Sequence, residues 1–301
     1  MAATSTSIFV NNNFTLPGEI AEGIWKKAQT ESTIARLSGN VPQKFGKTNV
    51  MVLTAAPKAE LVGESAQKSE TPATYASKVV TPLKLQVTMR TSNEVIWADE
   101  DYKVGILEDM VDNAGIALGR ALDIVGIHKM NPLTGTVSQA VAEGIVDTTN
   151  SATLANGKYD AAIEAAAGLV IAGGFTPSGI ALDPVCAYGL GSQRDNDGRK
   201  LYPEVGFGTN LTNFMGIDAA VGDTVSAKQE AAAATNILAI VGQFDAFRWG
   251  IQRDIAAHLI QFGDPDGQGD LQRLNQVAIR AEIVYGIGIM DLDAFAKVVS
   301  A

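Results

Sequence analysis

The chain has 301 residues and is 46% hydrophobic, enough to bury a substantial core in one large domain or two modest ones. A formal net charge of -10 argues against a dedicated nucleic-acid binder, which would carry a basic patch. The single Cys186 excludes an internal disulfide framework, and the opening MAATSTSIFVNNNF lacks the basic and apolar regions of a signal peptide. The longest apolar runs, LVIAGGF and ILAIVG, are core-sized, so the chain reads as soluble and intracellular, with no membrane partner.

Residues 1–16 are polar, rich in Thr, Ser and Asn, with isolated Ile8, Phe9 and Phe14; they read as an extended arm that needs a surface to lie on. Pro17 opens a short helix with Ile20, Ile24 and Trp25 apolar. Residues 50–53 form a short strand, and a polar excursion runs from Thr54 to Ser77. Strands at Val79-Val80 and from Leu83 to Arg90 follow. In the latter, Leu83, Leu85, Val87 and Met89 alternate with polar residues, giving one buried and one wet face. Strand, excursion and strand make a projecting hairpin, and so long an excursion is usually functional.

From Asp101 to His128, Val104, Leu107, Val111, Ala114, Leu118, Leu122 and Val125 recur in steps of three and four on one helical face. Glu108, Asp109, Asp112, Arg120 and Asp123 are assigned to the rest of the helix surface. Carboxylates at residues 99–101 suit its start, and Pro132 limits its end. At about 1.5 Å per residue this helix is about 40 Å long, a girder for the remaining segments.

Beyond it, residues 131–150 are irregular and Tyr159 to Ile171 form an Ala-rich helix stopped by Gly173-Gly174. Ile180 to Leu182 are a buried strand, Gln193 to Arg199 a turn, and residues 206–213 a loop. Ile237–Val241, Ile255–Phe262 and Gln276–Ile289 read as strands. Helices and strands mix without a regular βαβ repeat, so the fold class is α+β.

Chemistry finds little support. His128 and His258 have no Cys or carboxylate at metal-ligand spacing and read as packing residues. Residues 263–270, GDPDGQGD, resemble a calcium loop but lack its closing Glu and read as a tight turn between strands. Cys186 has no His nearby in sequence, and the paired glycines lack the third glycine of a phosphate loop. No cofactor is implied.

Several motifs, taken in order, resemble the major capsid proteins of tailed bacteriophages, which have the Hong Kong 97-type fold. Ser178-Gly-Ile-Ala-Leu-Asp-Pro184 followed by Arg194-Asp-Asn-Asp-Gly-Arg-Lys-Leu201 is similar to that family's strand, helix and D-x-x-G-R turn. Val241-Gly-Gln-Phe-Asp245 with Arg253, the ending Asp291-Leu-Asp-Ala-Phe-Ala296, and Glu60-Leu-Val-Gly-Glu-Ser-Ala-Gln-Lys68 resemble further motifs. The resemblance implies an arm and short helix over 1–40. A peripheral domain follows over 41–150, with an E-loop at 54–78 and a spine helix at 101–129. An axial domain over 151–250 and a return to the peripheral domain with a C-terminal strand over 251–301 complete it.

The function implied is a non-enzymatic virion shell, assembled in the host bacterial cytoplasm from hexamers and pentamers into an icosahedral capsid. A scaffolding protein, a portal and packaged double-stranded DNA, held without sequence specificity, are the implied partners. Because the arm begins almost at once, scaffolding is expected from a separate protein or not at all. Phe9, Phe14, Leu61, Glu64, Lys68, Arg194, Asp197 and Arg199 are the implied contact residues between copies.

Some members cross-link subunits by a Lys–Asn isopeptide bond assisted by a glutamate. Lys68, Asn275 and Glu282 occupy similar places here, with Asn275 displaced by one residue. That chemistry needs a desolvated Glu282 as proton acceptor; otherwise Glu282 pairs with Arg280 on its own strand face. Two alternatives stand beside the virus shell: an encapsulin-type nanocompartment with the same fold, and a soluble α+β enzyme using Glu282 or Asp264.

Overall fold

The computed structural model of the chain describes residues 32–43, 46–55, 57–71, 73–94, 100–207 and 210–300. The expected arm and the short helix after Pro17, with Phe9 and Phe14, lie outside them. The described elements are mixed helix and sheet, an α+β arrangement built on two sheets.

The first sheet has four antiparallel strands in the order β1-β2-β11-β10. These are β1 (Thr48–Ala55), β2 (Thr74–Ser92), β10 (Phe247–Ile260) and β11 (Gln276–Ile289). The second has six strands in the order β5-β12-β9-β6-β8-β7. Its members are β5 (Ser151–Leu154), β6 (Gly179–Leu182), β7 (Asn213–Phe214), β8 (Ile217–Val221), β9 (Ile237–Gly242) and β12 (Phe295–Ser300). A small hairpin pairs β3 (Met130–Asn131) with β4 (Thr136–Val137). The helices are α1 (Thr33–Leu37), α2 (Glu100–His128), α3 (Tyr159–Ala172) and α4 (Pro184–Ser192).

The girder helix is α2, one residue longer at its start than the sequence pattern predicts. Its buried face, Val111, Ala114, Leu118, Leu122 and Val125, meets Ile283, Tyr285, Ile287 and Ile289 of β11 in the main core. Alternate residues of β11 point at this core because the strand period is two. Burying Leu118 alone is worth about 1.5–3 kcal/mol. Tyr285 donates its hydroxyl to the Leu118 carbonyl at 3.3 Å, which satisfies the one polar atom it brings inside.

Asp123 and Arg120 do not lie on a wet face as their residue types suggested. Asp123 is fully buried and accepts hydrogen bonds from Ser32 Oγ (2.5 Å), Thr33 N (2.7 Å), Thr33 Oγ1 (2.8 Å), Ile34 N (3.1 Å) and Thr224 Oγ1 (2.5 Å). One carboxylate therefore fastens the start of α1 and the 223–225 turn to the girder. Arg120 forks to Asp223 at 2.6 Å and to Glu230. Burial by itself would lower its pKa, but the bonds to these two carboxylates raise it above the ordinary value.

Where two strands were expected at 79–80 and 83–90, β2 is one strand of 19 residues. It pairs with β1 over Val80 to Thr74 and with β11 over Thr81 to Ser92. Pro82 is tolerated at this change of partner, because its missing N–H falls where only one side is paired. Similarly, β10 begins at Phe247 rather than 255. Gly250 lets residues 40–43 cross it: a Cβ there would stand 1.8 Å from the Val41 carbonyl oxygen. Val41 N bonds Trp249 O at 2.9 Å across that contact.

In the second sheet, α3 packs Ala162, Ile163, Ala166 and Val170 against the strands, and Asp183 caps α4 by accepting from Val185 N at 2.8 Å. The short strand β8, not foreseen from the sequence, lies parallel to β6. Residues 247–289 return to the four-stranded sheet as two long strands, whereas 295–300 insert between β5 and β9 in the six-stranded one.

Candidate assembly surfaces

The hairpin predicted between residues 50 and 80 is present. Its stem is the β1–β2 pair, with Leu53 opposite Tyr75 and Asn49 opposite Val79. Residues 57–71 beyond the stem form an irregular loop whose side chains are nearly all exposed. Leu61 at its tip is 100% exposed, and Glu64 and Lys68 are exposed beside it. Glu60 accepts from Ser69 Oγ and Ser69 N, which gives the loop some internal shape and lowers the Glu60 pKa. On the stem, Met51 (74% exposed), Leu53, Tyr75 and Val79 leave an apolar face uncovered. Lys78 and Glu143, 3.1 Å apart, tie the stem base to the segment after α2.

The turn at 193–200 forms as predicted. Gly198 takes a φ of +81°, and Asp195 Oδ1 accepts from Asp197 N (3.0 Å) and Arg199 N (2.8 Å). Arg194 donates to the Gly198 carbonyl, so it braces the turn; Asp197 and Arg199 are exposed. The organising residue is Asp195, which the sequence reading passed over, although an Asp two residues before a free N–H is a known turn-former. Val185, Tyr188, Leu201 and Phe207 (76% exposed) are further apolar residues left exposed, with Lys200 Nζ 5.9 Å from the Phe207 ring. The sequence does not announce that Val185 and Tyr188 are exposed, since this depends on how α4 docks.

Lys68, Asn275 and Glu282 are not brought together within one copy. Asn275 sits before β11 with a φ of +53°, and seven residues of strand, roughly 23 Å, separate it from Glu282. A Lys68–Asn275 bond assisted by Glu282 would thus draw its asparagine and glutamate from different copies. Glu282 is paired neither with Arg280 nor left alone in apolar surroundings: Lys84 on the adjacent strand stands 2.8 Å from it. Arg280 instead bonds Thr88 Oγ1 at 3.0 Å and the Pro265 carbonyl at 2.6 Å.

The acidic turn at 263–270 is organised by a cation from the chain itself. Arg90 bonds Asp264 at 3.0 Å, Asp266 at 2.8 Å and the Gly269 carbonyl at 2.9 Å. The hydrogen bond from Arg90 is the main cause of a lowered Asp266 pKa. Asp264 is therefore a clamp residue, and the enzyme reading loses both its candidate carboxylates to ion pairs. His128 is buried, with Nε2 3.0 Å from the Thr224 carbonyl, and burial lowers its pKa; His258, by contrast, is exposed on β10 rather than packed inside. Cys186 is fully buried and its thiol is pushed up to about 12 by desolvation, so it is not a nucleophile.

Residues 12–300 match the phage capsid family. A solved structure from Mycobacterium phage Ogopogo is 51% identical, covering 92% of this chain and 94% of that one, with a TM-score of 0.83. One from Gordonia phage Cozz is 32% identical over 90% of this chain and 87% of that one, with a TM-score of 0.79. A structure described as the capsid of a native GTA particle shares the fold at 15% identity, covering 91% of this chain and 90% of that one, with a TM-score of 0.63. No curated protein matches.

Proposed function

This chain belongs to the phage capsid family, and from that premise we propose that its copies close into hexamers and pentamers of an icosahedral shell around double-stranded DNA. It is a major capsid protein of a tailed phage with the Hong Kong 97-type fold, a structural protein of the virion. The observation that supports the detailed assembly is the β1–β2 hairpin. Its apolar stem face and exposed tip find no cover among the described residues. Each copy presenting that hairpin to the next is a heterologous contact, which closes into a ring when the rotation allows.

The further partners in this reading are a portal, a scaffolding protein and DNA held without sequence specificity, with assembly in the host cytoplasm. The -10 charge suits a wall that does not adhere to packaged DNA. Negative-stain imaging of the purified chain is the test: closed shells support the reading, and only small oligomers under every condition count against it. A self-cross-link through Lys68, Asn275 and Glu282 is read on the same particles. After boiling in detergent a ladder supports it, and a single band at the free-chain mass rules it out. The Lys84 ammonium already engaging Glu282 favours the single band.

A further inference from the structure

The last turn of α2 and residues 223–235 meet around a titratable group that the shell reading leaves unused. His128 is buried, with Nε2 3.0 Å from the Thr224 carbonyl. A carbonyl only accepts, so Nε2 carries the proton of the neutral ring and Nδ1 is a bare acceptor. Nδ1 is buried without a hydrogen-bond partner among the described residues, and so is Oε2 of Glu230 in the facing segment. Orphaned buried polar atoms are rare and call for a reason. The charged groups on the elements packed here are Asp123 and Arg120 of α2, Asp223, Lys228 and Glu230 of the segment, and the Lys129–Asp147 pair just beyond the helix. Desolvation is the largest influence on His128 and lowers its pKa. The Thr224 and Val225 carbonyls and the Asp123 and Glu230 carboxylates offset this only in part.

We propose that residues 223–235 are a clasp on α2 that acid opens, with the His128 ring as its trigger. A second proton must go to Nδ1, where it makes a charged N–H with no acceptor in place. Water reaches that N–H when the covering segment lifts, and the segment is lightly attached. Thr224 to Ala227 are buried, whereas Lys228, Gln229 and Ala232 to Ala234 are exposed. Ala227 is held at a φ of +50°, a left-handed conformation that opening relaxes. The Thr224–Asp123 bond and the fork from Arg120 to Asp223 and Glu230 keep the clasp shut while the ring is neutral. Opening also frees the β3–β4 hairpin, because Ala232 N bonds the Gly135 carbonyl at 3.0 Å. The open state takes the proton at the ordinary histidine pKa of about 6.5 and the closed state only below it, so falling pH favours opening. The inference goes beyond the shell reading and does not depend on it.

The test is hydrogen exchange, read by mass spectrometry on the full chain between about pH 7.5 and 5.5, the interval in which an ordinary histidine titrates. The Ala227, Ala231 and Ala232 amides are hydrogen-bonded in the closed clasp. Corrected for intrinsic exchange, their protection should fall by up to about tenfold per pH unit below about pH 6.5, as one proton taken up per opening requires. Residues 279–287 of β11 should stay far better protected throughout. Protection of the three amides that does not change with pH overturns the proposal. So does protection equal to that of β11, since only global unfolding would then expose them. His128→Gln keeps a donor for the Thr224 carbonyl but cannot titrate, so it should flatten the dependence; an unchanged dependence overturns His128 as the trigger. Should that variant not fold, the wild-type chain decides through the slow exchange of the imidazole C2–H, read separately for its two histidines. His128 should take its proton only as residues 226–235 lose protection. His128 titrating while that segment stays protected overturns the proposal.

Discussion

Asp123→Asn is the sharpest test of how the parts are fastened together. The carboxylate takes five hydrogen bonds, three from hydroxyls and two from the backbone N–H groups of Thr33 and Ile34. An asparagine keeps one acceptor oxygen and turns an N–H₂ toward the other set. Hydroxyls can rotate to accept from it, but a backbone N–H cannot. Thr33 N and Ile34 N bond different oxygens, so either orientation of the amide leaves one of them facing a donor. Losing one charge-assisted bond and stranding one buried N–H costs about 3 kcal/mol, and Asp123→Ala, which strands both, costs about 5 kcal/mol. For a chain of this size about 3 kcal/mol corresponds to a Tm roughly 5 °C lower. Thermal and urea unfolding followed by circular dichroism measure it, with Asp109→Asn, an exposed position on the same helix, as control. If both asparagine variants melt together, Asp123 is not the fastening this account makes it.

Leu118→Asp should abolish folding by placing an unpaired charge in the core, whereas Leu118→Ala should fold with a loss of about 2–5 kcal/mol; expression with circular dichroism distinguishes them. Arg90→Ala should release the 263–275 loop, seen as faster hydrogen exchange confined to that loop and its flanks. Because the Asp266 pKa is lowered in the folded chain, the clamp should hold at and above the ordinary carboxylate range and loosen only as pH falls below it. His128 has the opposite sense. Its folded pKa is lowered, so the unfolded chain binds its proton first, and stability should fall as pH drops below about 6.5 toward the folded value. His128→Gln should flatten that part of the urea-midpoint profile; an unchanged slope would show that His128 is not its source.

What could be read from the sequence was what a single segment decides. The girder, the stem with its long excursion, the glycine-stopped α3 and the turn around Gly198 each follow from local periodicity or backbone chemistry. The misses are contacts between distant segments. Asp123 and Arg120 occupy helical positions that residue type assigns to water, and their partners Ser32, Thr33, Asp223, Thr224 and Glu230 lie about a hundred residues away. Nothing in the helix announces that other segments fold over that face. Glu282 reads from the sequence either as desolvated or as paired with Arg280, two residues along its strand, but strand register sets Lys84 next to it, and register is a property of the sheet. For β10, a run containing Gly250, Arg248 and Arg253 looks unlike a strand until residues 40–43 are seen crossing it.

The account holds that the projecting hairpin serves other copies and not its own body. Replacing Leu61–Thr71 with a short Gly-Ser linker, and measuring both unfolding and sedimentation beside the full chain, tests this directly. The loop's side chains are exposed and nearly all its bonds are internal, so the shortened chain should unfold at an unchanged temperature yet sediment as a small species while the full chain forms shells. Shells from the shortened chain at the normal yield would contradict it.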